Sequence, residues 1–106
     1  MKVVDYDKKQ DTLFLHKGFL RDEKFKGNLD IGNLILDIST KNRICGIEIL
    51  NATKYLKDFR VDKKMLSNLK EAQFNANKNI NSISLSLLLK SSVKTIPAKI
   101  AIPLNN

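Results

Sequence analysis

Acidic side chains are the residues of this sequence best suited to chemistry. Asp5, Asp7, Asp11, Asp37 and Glu48 are interspersed with apolar residues in the first half of the chain. Paired carboxylates can bind a divalent cation or share a proton. Asp37 and Glu48 form the best pair, because a hairpin would place them diagonally on one face. The bland alternative is that these carboxylates bond turn amides or solvate a sheet face, and we favour it because the aspartate spacing does not match an EF-hand loop.

The lone histidine and the lone cysteine limit nucleophilic catalysis. His16 has no second ligand close in sequence, and Cys45 falls on a predicted apolar face, where burial raises the pKa of a thiol. One cysteine excludes an internal disulfide and a cysteine-cluster metal site.

Gly27 and Gly32 have phosphate-loop spacing, but residues 33–34 lack the lysine and hydroxyl residue that hold phosphate and magnesium. The sequence therefore predicts a non-enzymatic protein with no cofactor.

Period-two patterns in the first half of the chain predict two β-hairpins that would position these residues. Residues 3–7 pair with 12–16 in a register whose residue numbers sum to 19. Residues 33–39 pair with 43–50 in a register whose numbers sum to 83. Each register collects apolar side chains on one face, and a slip of one residue would destroy that face.

The middle of the chain shows two other patterns. Residues 18–32 lack a sustained period and predict an irregular, mobile connection. Helical spacing over residues 51–72 predicts two short helices or one bent helix, with Asp62 as a good cap residue. The asparagine-rich stretch 75–79 is expected to break the helix.

Period-two structure returns in the last third. Residues 82–89 and 96–104 predict a hairpin, and Pro97 and Pro103 have the same parity, so their missing N–H groups fall on one side of an edge strand. The predicted fold is a single α+β domain over residues 1–106. It contains two N-terminal β-hairpins, a helical pair packing on the sheet, and a C-terminal β-hairpin with a proline-containing edge strand.

A basic charge balance is the unusual feature of the composition. The chain has 19 Lys plus Arg against 11 Asp plus Glu, for a formal net charge of +8. Only three of the cations are arginine, and there is no tryptophan, so base reading and base stacking have little support. One stripe of lysines in the helical region could still contact a polyanion: Lys54, Lys57, Lys63, Lys64 and Lys70.

Targeting signals are not recognisable. The first five residues include charged side chains, unlike a signal peptide, and apolar runs such as 87–89 are far shorter than the roughly 18 residues of a membrane span. We expect a cytoplasmic protein that does not bind a membrane.

Three segments, 6–15, 34–38 and 46–52, together resemble the family called domain of unknown function 2283. The family pattern combines a Tyr-Asp with a nearby Asp, an apolar strand with Asp, and Gly-Ile-Glu-Ile before a polar residue, Ala and a small hydroxyl residue. The motif positions here are Tyr6, Asp7, Asp11, Asp37, Gly46 and Glu48. The resemblance covers about residues 3–60 and implies a small prokaryotic α+β domain without an assigned activity. Some members are encoded beside small toxin-like proteins.

We therefore predict a cytoplasmic, non-enzymatic interaction domain that self-associates through the mixed face of the second hairpin or through an edge strand. Its expected partner is a second copy or a small protein. The alternative is a basic protein that binds nucleic acid or belongs to a toxin-antitoxin-like pair. A third, less favoured alternative is a metal-dependent carboxylate site at Asp37 and Glu48.

Overall fold

A computed structural model describes residues 1–104 of the chain. Two antiparallel sheets are joined by short helical segments. The strands are β1 (Val3–Asp7), β2 (Thr12–His16), β3 (Phe25–Ile31), β4 (Leu34–Ser39), β5 (Ile44–Ile49), β6 (Leu69–Lys78), β7 (Ser82–Ser91) and β8 (Thr95–Pro103). The helical segments are α1 (Ala52–Tyr55), a 3₁₀ turn (Lys57–Phe59) and α2 (Lys63–Ser67).

The first sheet has five strands in the order β1-β2-β5-β4-β3. Its first hairpin has the predicted register, with Val4 opposite Leu15 and Tyr6 opposite Leu13. Burial of one face fixes this register, since shifting it by one residue would turn the apolar side chains to solvent.

The pairing of β4 with β5 follows the predicted register from Leu34 to Asp37 and departs from it only at Ile38, next to the turn. Leu34 lies opposite Ile49, but nearer the turn a bulge places Ile38 opposite Ile44 rather than opposite Cys45. An extra residue in one strand displaces the pairs beyond it. The expected pairing of Ile38 with Cys45 is therefore wrong, although the Cys45 side chain is buried as predicted.

The segment 18–32 is only in part the irregular connection predicted from the sequence, since residues 18–24 contain no strand or helix but the residues after them do. Residues 25–31 form β3, which pairs along its length with β4 at the edge of the five-stranded sheet. Leu29 and Ile31 pack against the core, whereas Gly27 lies at the next position of the same parity. Two apolar residues are too short an alternation to predict a strand from sequence. Pairing with β4 therefore contributes the rest of what makes this segment a strand.

The second sheet has three strands in the order β6-β7-β8 and includes residues expected to be helical. The helix was predicted to continue to Ala72, but α2 ends at Ser67. Strand β6 then runs through most of the asparagine-rich stretch 75–79. Ala72, Phe74 and Ala76 alternate toward the core, so the period-two pattern here prevailed over the helical spacing.

The last strand lies at an edge of the three-stranded sheet. Pro97 is opposite Leu88 and Pro103 is opposite Ser82 in the pairing of β8 with β7. Proline is tolerated in such a strand because one side of its backbone has no bonded neighbour.

Apolar side chains from both sheets form one buried cluster with side chains of the helical region, including Ala52, Leu56, Met65 and Leu66. The α+β class is thus confirmed in its coarse form, with much more strand than helix. Asp62 caps α2 as predicted, since its carboxylate accepts the Met65 amide at 2.8 Å. Among residues 1–104, none of the helices has the length and apolar character needed to cross a bilayer.

Candidate functional site

A hydrogen-bond network around Asp11 joins the first hairpin to α1. The Tyr6 hydroxyl donates to Asp11 Oδ1 at 2.6 Å, and the Thr53 hydroxyl donates to Asp11 Oδ2 at 2.7 Å. The Thr53 amide also donates to this carboxylate at 3.2 Å, while the Ala52 amide donates to the Asp11 carbonyl oxygen at 2.8 Å. Asp11 therefore caps α1 from a distant turn, because Asn51 at the cap position makes no side-chain bond to the helix.

The pKa shifts in this network favour the ionised form of the Asp11 carboxyl and the protonated form of the Tyr6 hydroxyl. Burial acts to raise the pKa of the Asp11 carboxyl, but hydrogen bonds from Tyr6 and Thr53 outweigh it and lower the pKa below its usual value. Burial, followed by the bond to Asp11, raises the pKa of the Tyr6 hydroxyl well above its usual value. The network therefore holds an ionised carboxylate against a protonated hydroxyl and links the first hairpin to α1. Asp7 has a similar local role, since its carboxylate accepts the Gln10 amide at 3.0 Å.

The outer face of the five-stranded sheet carries carboxylates in a regular arrangement. Residues directly opposite each other in neighbouring strands share a face, and one row across all five strands reads Asp5, Phe14, Glu48, Ile35 and Asp30. Acidic and apolar side chains alternate along the row. Successive acidic residues are therefore two strand spacings apart, or about 9–10 Å, which is too far for them to bind one metal ion together.

The neighbouring row on this face depends on a glycine. It reads Val3, His16, Gly46, Asp37 and Asn28. A Cβ atom at Gly46 would lie 2.7 Å from Asp37 Oδ2 and 2.7 Å from His16 Cδ2. The Gly18 amide donates to His16 Nδ1 at 2.8 Å and so fixes the ring. Glycine at position 46 therefore allows the two flanking side chains to approach each other over its backbone.

The carboxylates of Asp37 and Glu48 lie on one face, as the sequence predicted. Glu48 is opposite Ile35 and Asp37 is opposite Gly46, so the two acidic residues are diagonal neighbours. Within residues 1–104, no group of three or more His, Cys, Asp or Glu side chains is placed to hold a metal ion. The geometry brings this pair together without adding a third ligand.

Five acidic residues share this outer face, since Asp7 has the same strand parity as Asp5. We call this set the acidic face: Asp5, Asp7, Asp30, Asp37 and Glu48. None of the residues in the two rows across the sheet is lysine or arginine. A surface of one charge sign thus lies on a protein with a formal net charge of the opposite sign, +8.

An ion pair between the partly exposed Arg43 and the buried Glu23, which was not predicted from the sequence, stabilises the segment before β3. Arg43 donates to Glu23 through Nε and Nη2, both at 2.8 Å, and the Glu23 side chain has no solvent exposure. Glu23 also accepts the Ser39 hydroxyl at 2.6 Å and the Leu20 amide at 2.7 Å. The bonds from Arg43 are the main cause of a Glu23 pKa well below its usual value. No local pattern reveals this pair, because its members are 20 positions apart.

The lysines predicted to contact a polyanion lie in and next to the helical region. All are exposed, and they occur in α1, the 3₁₀ turn, α2 and the start of β6. We call them the lysine set: Lys54, Lys57, Lys63, Lys64 and Lys70. Their role stays a prediction.

A groove of about 1080 Å³ lies between β6 and the part of the five-stranded sheet formed by β3, β4 and β5. Its cationic residues are Lys17, Lys26, Arg43 and Lys78. Its side-chain amides belong to Asn28, Asn42, Asn75 and Asn77. In the described part of the chain, its lining contains no acidic residue. No local pattern in the sequence reveals this groove, because its residues come from six separate segments.

Comparison with known proteins places this arrangement in a family. Residues 3–52 match the family described as Protein of unknown function (DUF2283). An uncharacterized protein of Methanocaldococcus jannaschii is 36% identical over 100 residues, which are 91% of this chain and 81% of that protein. The chain belongs to the DUF2283 family.

A second relative of this DUF2283 protein has a different name. It is a Methanosarcina mazei protein named as a hypoxanthine phosphoribosyltransferase, 32% identical over 89 residues, which are 84% of this chain and 66% of that protein. No solved structure matches the chain.

The match confirms the family resemblance inferred from the sequence. In this DUF2283 structure the motif residues fall into two groups. Tyr6, Asp7 and Asp11 stabilise the first hairpin and its contact with α1. The other three, Asp37, Gly46 and Glu48, lie side by side on the outer sheet face. Thr53, the partner of Asp11, was missed as a site residue, although the small hydroxyl residue of the motif indicated it.

Proposed function

We propose that the protein is a non-enzymatic interaction domain in which the acidic face of one copy binds the lysine set of another. The separation of charge over the surface supports this proposal. Five of the 11 acidic residues form the acidic face, which leaves six acidic residues (11 − 5) against 19 cations elsewhere. Complementary charges speed association and select the orientation of the partners.

Two acidic faces would not bind each other well. An isologous dimer places the same patch of both subunits in contact, so each acidic face would meet a second set of carboxylates. Like charges across an interface cost several kcal/mol. Contact between unlike surfaces avoids this repulsion and favours a heterologous arrangement.

Edge-strand pairing is the less favourable route to self-association. β1 is a short strand that carries Asp5 and Asp7, and β8 contains Pro97 and Pro103. β3 and β6 each contain a bulge close to their first residues. Short length, charge, proline and bulges are the features that prevent edge-to-edge pairing in natural sheets. The outer face is therefore the surface on which we place the contact.

Apolar side chains between the carboxylates add to this surface. Phe14 and Ile35 are half-buried and lie between acidic neighbours in the same row. The exposed Phe19 ring packs edge-on against His16, with ring centres 5.0 Å apart. Aromatic and apolar groups inside a charged rim are typical of protein interfaces.

Sedimentation velocity over a range of protein concentrations tests this proposal. We expect assemblies that grow with concentration, and Glu48→Lys should abolish them. Glu71→Lys is the matched control, because it makes the same charge change on the other sheet. An unassociated wild-type protein at its highest soluble concentration, or equal effects of the two variants, would contradict the proposal.

Mixing two variants distinguishes unlike surfaces from like surfaces. Glu48→Lys retains the lysine set, and the double variant Lys57→Glu/Lys64→Glu retains the acidic face. Each should be monomeric alone, and an equimolar mixture should form a one-to-one pair through the two intact surfaces. A mixture that stays monomeric would exclude the heterologous contact.

The absence of catalysis is also part of the proposal. The M. mazei relative's name suggests phosphoribosyl transfer to hypoxanthine as the enzymatic alternative. Incubation with hypoxanthine, phosphoribosyl diphosphate and magnesium should release no pyrophosphate. Enzyme-dependent release would show that the protein is a transferase.

We further propose a cytoplasmic location, where a single free thiol stays reduced.

A further inference from the structure

We infer that the groove between β6 and the five-stranded sheet binds the phosphate backbone of a single-stranded nucleic acid. This site shares no residue with the acidic face or the lysine set, although its Asn28 lies opposite Asp37, so it goes beyond the proposed self-association. Its cationic residues come from the segment after β2, from β3, from the β4–β5 turn and from the end of β6.

Asparagine side chains orient two of the lysines in the groove. Lys17 Nζ donates to Asn75 Oδ1 at 3.4 Å and lies 4.7 Å from the centre of the Phe74 ring. Lys26 Nζ donates to Asn42 Oδ1 at 3.0 Å. An ammonium group has three N–H donors, so each lysine keeps further donors for a ligand oxygen. Ordering the lysines in advance lowers the entropic cost of binding.

The groove carries positive charge that the protein does not neutralise. Arg43 is paired with Glu23, but Lys17, Lys26 and Lys78 form no salt bridge within residues 1–104. Burial and then the charge of Arg43 lower the pKa of Lys17. An anion placed among these groups would relieve their mutual repulsion, which favours a ligand with several negative charges.

The remaining groups of the groove favour a nucleic acid over an acidic peptide. The Asn42 and Asn75 oxygens accept the two lysines, but the Asn28 and Asn77 amides can offer both a donor and an acceptor to a ligand. Base edges offer both kinds of partner. A carboxylate-rich peptide offers its side chains only as acceptors. The volume of about 1080 Å³ is at the upper limit of ordinary small-molecule pockets, so it has room for several phosphate units. A recess between two sheets fits a single strand better than a rigid duplex.

The lining also predicts how binding depends on sequence and salt. Its residues include no aromatic side chain, so base stacking contributes little and phosphate contacts dominate. For three to four contacts, the logarithm of the binding constant should fall with the logarithm of salt concentration with a slope of about −2 to −3. Oligonucleotides of different sequence should bind with similar affinity.

Fluorescence anisotropy with a labelled oligothymidylate provides the test, using the full chain. We expect Lys26→Glu/Lys78→Glu to weaken binding about tenfold or more, because each lost lysine removes a phosphate contact. The matched control is Lys8→Glu/Lys9→Glu, which makes the same charge change in the β1–β2 turn outside the groove. It should weaken binding only slightly, and thermal melting should show that both variants fold.

Three results would overturn the assignment. They are no oligothymidylate binding by the wild type at low salt, equal losses in the two double variants, and stronger binding of a duplex of the same length. Competition supplies a further decision: displacement of the oligonucleotide by polyglutamate at lower concentration than by unlabelled oligothymidylate would assign the groove to an acidic protein instead. Amide resonances of Asn42 and Asn75 that shift on oligonucleotide addition would support the groove as the site.

Discussion

At the scale of single residues, Asp11 connects segments that are 42 positions apart in sequence. Its carboxylate accepts the Tyr6 and Thr53 hydroxyls, and its backbone conformation is left-handed, with φ 54°. Aspartate is one of the few residues other than glycine that adopt this conformation readily. The family motif indicated Tyr6 and Asp11 as important positions, but it did not reveal that Asp11 caps a helix and that Tyr6 bonds its carboxylate.

Asp11→Asn should reduce the free energy of unfolding by about 1–3 kcal/mol, because it weakens charge-assisted bonds from two hydroxyls and an amide. Urea denaturation would measure this change. Asp5→Asn is the control, since Asp5 is exposed on the same hairpin and accepts none of these bonds. Equal effects of the two substitutions would contradict the capping role.

Glu23 makes the stability of the protein depend on acid pH. Its pKa is lowered in the folded state, chiefly by the bonds from Arg43. Its stabilising contribution is therefore complete above its unfolded pKa of about 4.3 and is lost as pH falls toward the lower folded value. Melting temperatures measured from pH 7 to pH 2 should fall less steeply below pH 5 in Glu23→Gln, although that variant starts lower because Arg43 loses its partner.

The comparison for this pH dependence is Asp30→Asn, which alters an exposed carboxylate of the same sheet. The melting temperature of Asp30→Asn should fall below pH 5 as steeply as that of the wild type. If the melting temperatures of the wild type and of Glu23→Gln fall equally steeply below pH 5, the Glu23–Arg43 pair does not govern stability in acid.

Gly46→Ala should destabilise the protein by about 1–3 kcal/mol, because the added methyl group overlaps the side chains of neighbouring strands. Its Cβ would lie 2.7 Å from atoms of both His16 and Asp37. Gly27→Ala is the matched control, since a Cβ there meets no atom within 4 Å. Thermal unfolding of both variants compares them directly, and a Gly46→Ala variant as stable as Gly27→Ala would disprove the steric requirement.

At the scale of elements, the strands that sequence patterns missed are the ones that depend most on their neighbours. β3 contributes Leu29 and Ile31 to the core, and β6 begins only one residue after α2 ends. The spacing of Met65, Leu69 and Ala72 fits a helix as well as it fits the observed change from helix to strand. Pairing with β7 decides this region, since an isolated segment has no partner for its backbone.

A β-branched substitution tests the assignment of β6 as a strand. Gln73→Val should leave the protein equally stable or stabilise it by up to about 1 kcal/mol, because Gln73 is exposed in the strand and valine favours strands. Lys64→Val, at an exposed position of α2, should instead destabilise it by about 0.5 kcal/mol. Chemical denaturation measures both, and a loss of stability in both would indicate that residue 73 is helical.

At the scale of the whole molecule, the arrangement of charge matters more than its total. The formal net charge of +8 suggested a polyanion partner but gave no location. In the structure, the acidic face occupies one side of the five-stranded sheet, and the groove collects cations from separate segments. Charge of both signs is therefore concentrated in places where a partner can meet it.

Raising the salt concentration should weaken self-association, because contacts between exposed charges are screened over about 10 Å at 0.1 M ionic strength. Sedimentation velocity in low and high sodium chloride would measure this effect. Assembly that strengthens with salt would indicate an apolar contact instead of the proposed contact between the acidic face and the lysine set.

The sequence by itself determined the hairpin register of β1 and β2, the family, and the apolar faces of β7 and β8, because these depend on alternation between residues close in the chain. It could not determine the Glu23–Arg43 pair, the capping of α1 by Asp11 or the lining of the groove. Each of these joins segments that are distant in sequence, and no local pattern records which strands become neighbours. Tertiary structure buries the apolar faces of both sheets in one core, and this packing decided which polar side chains meet at the surface.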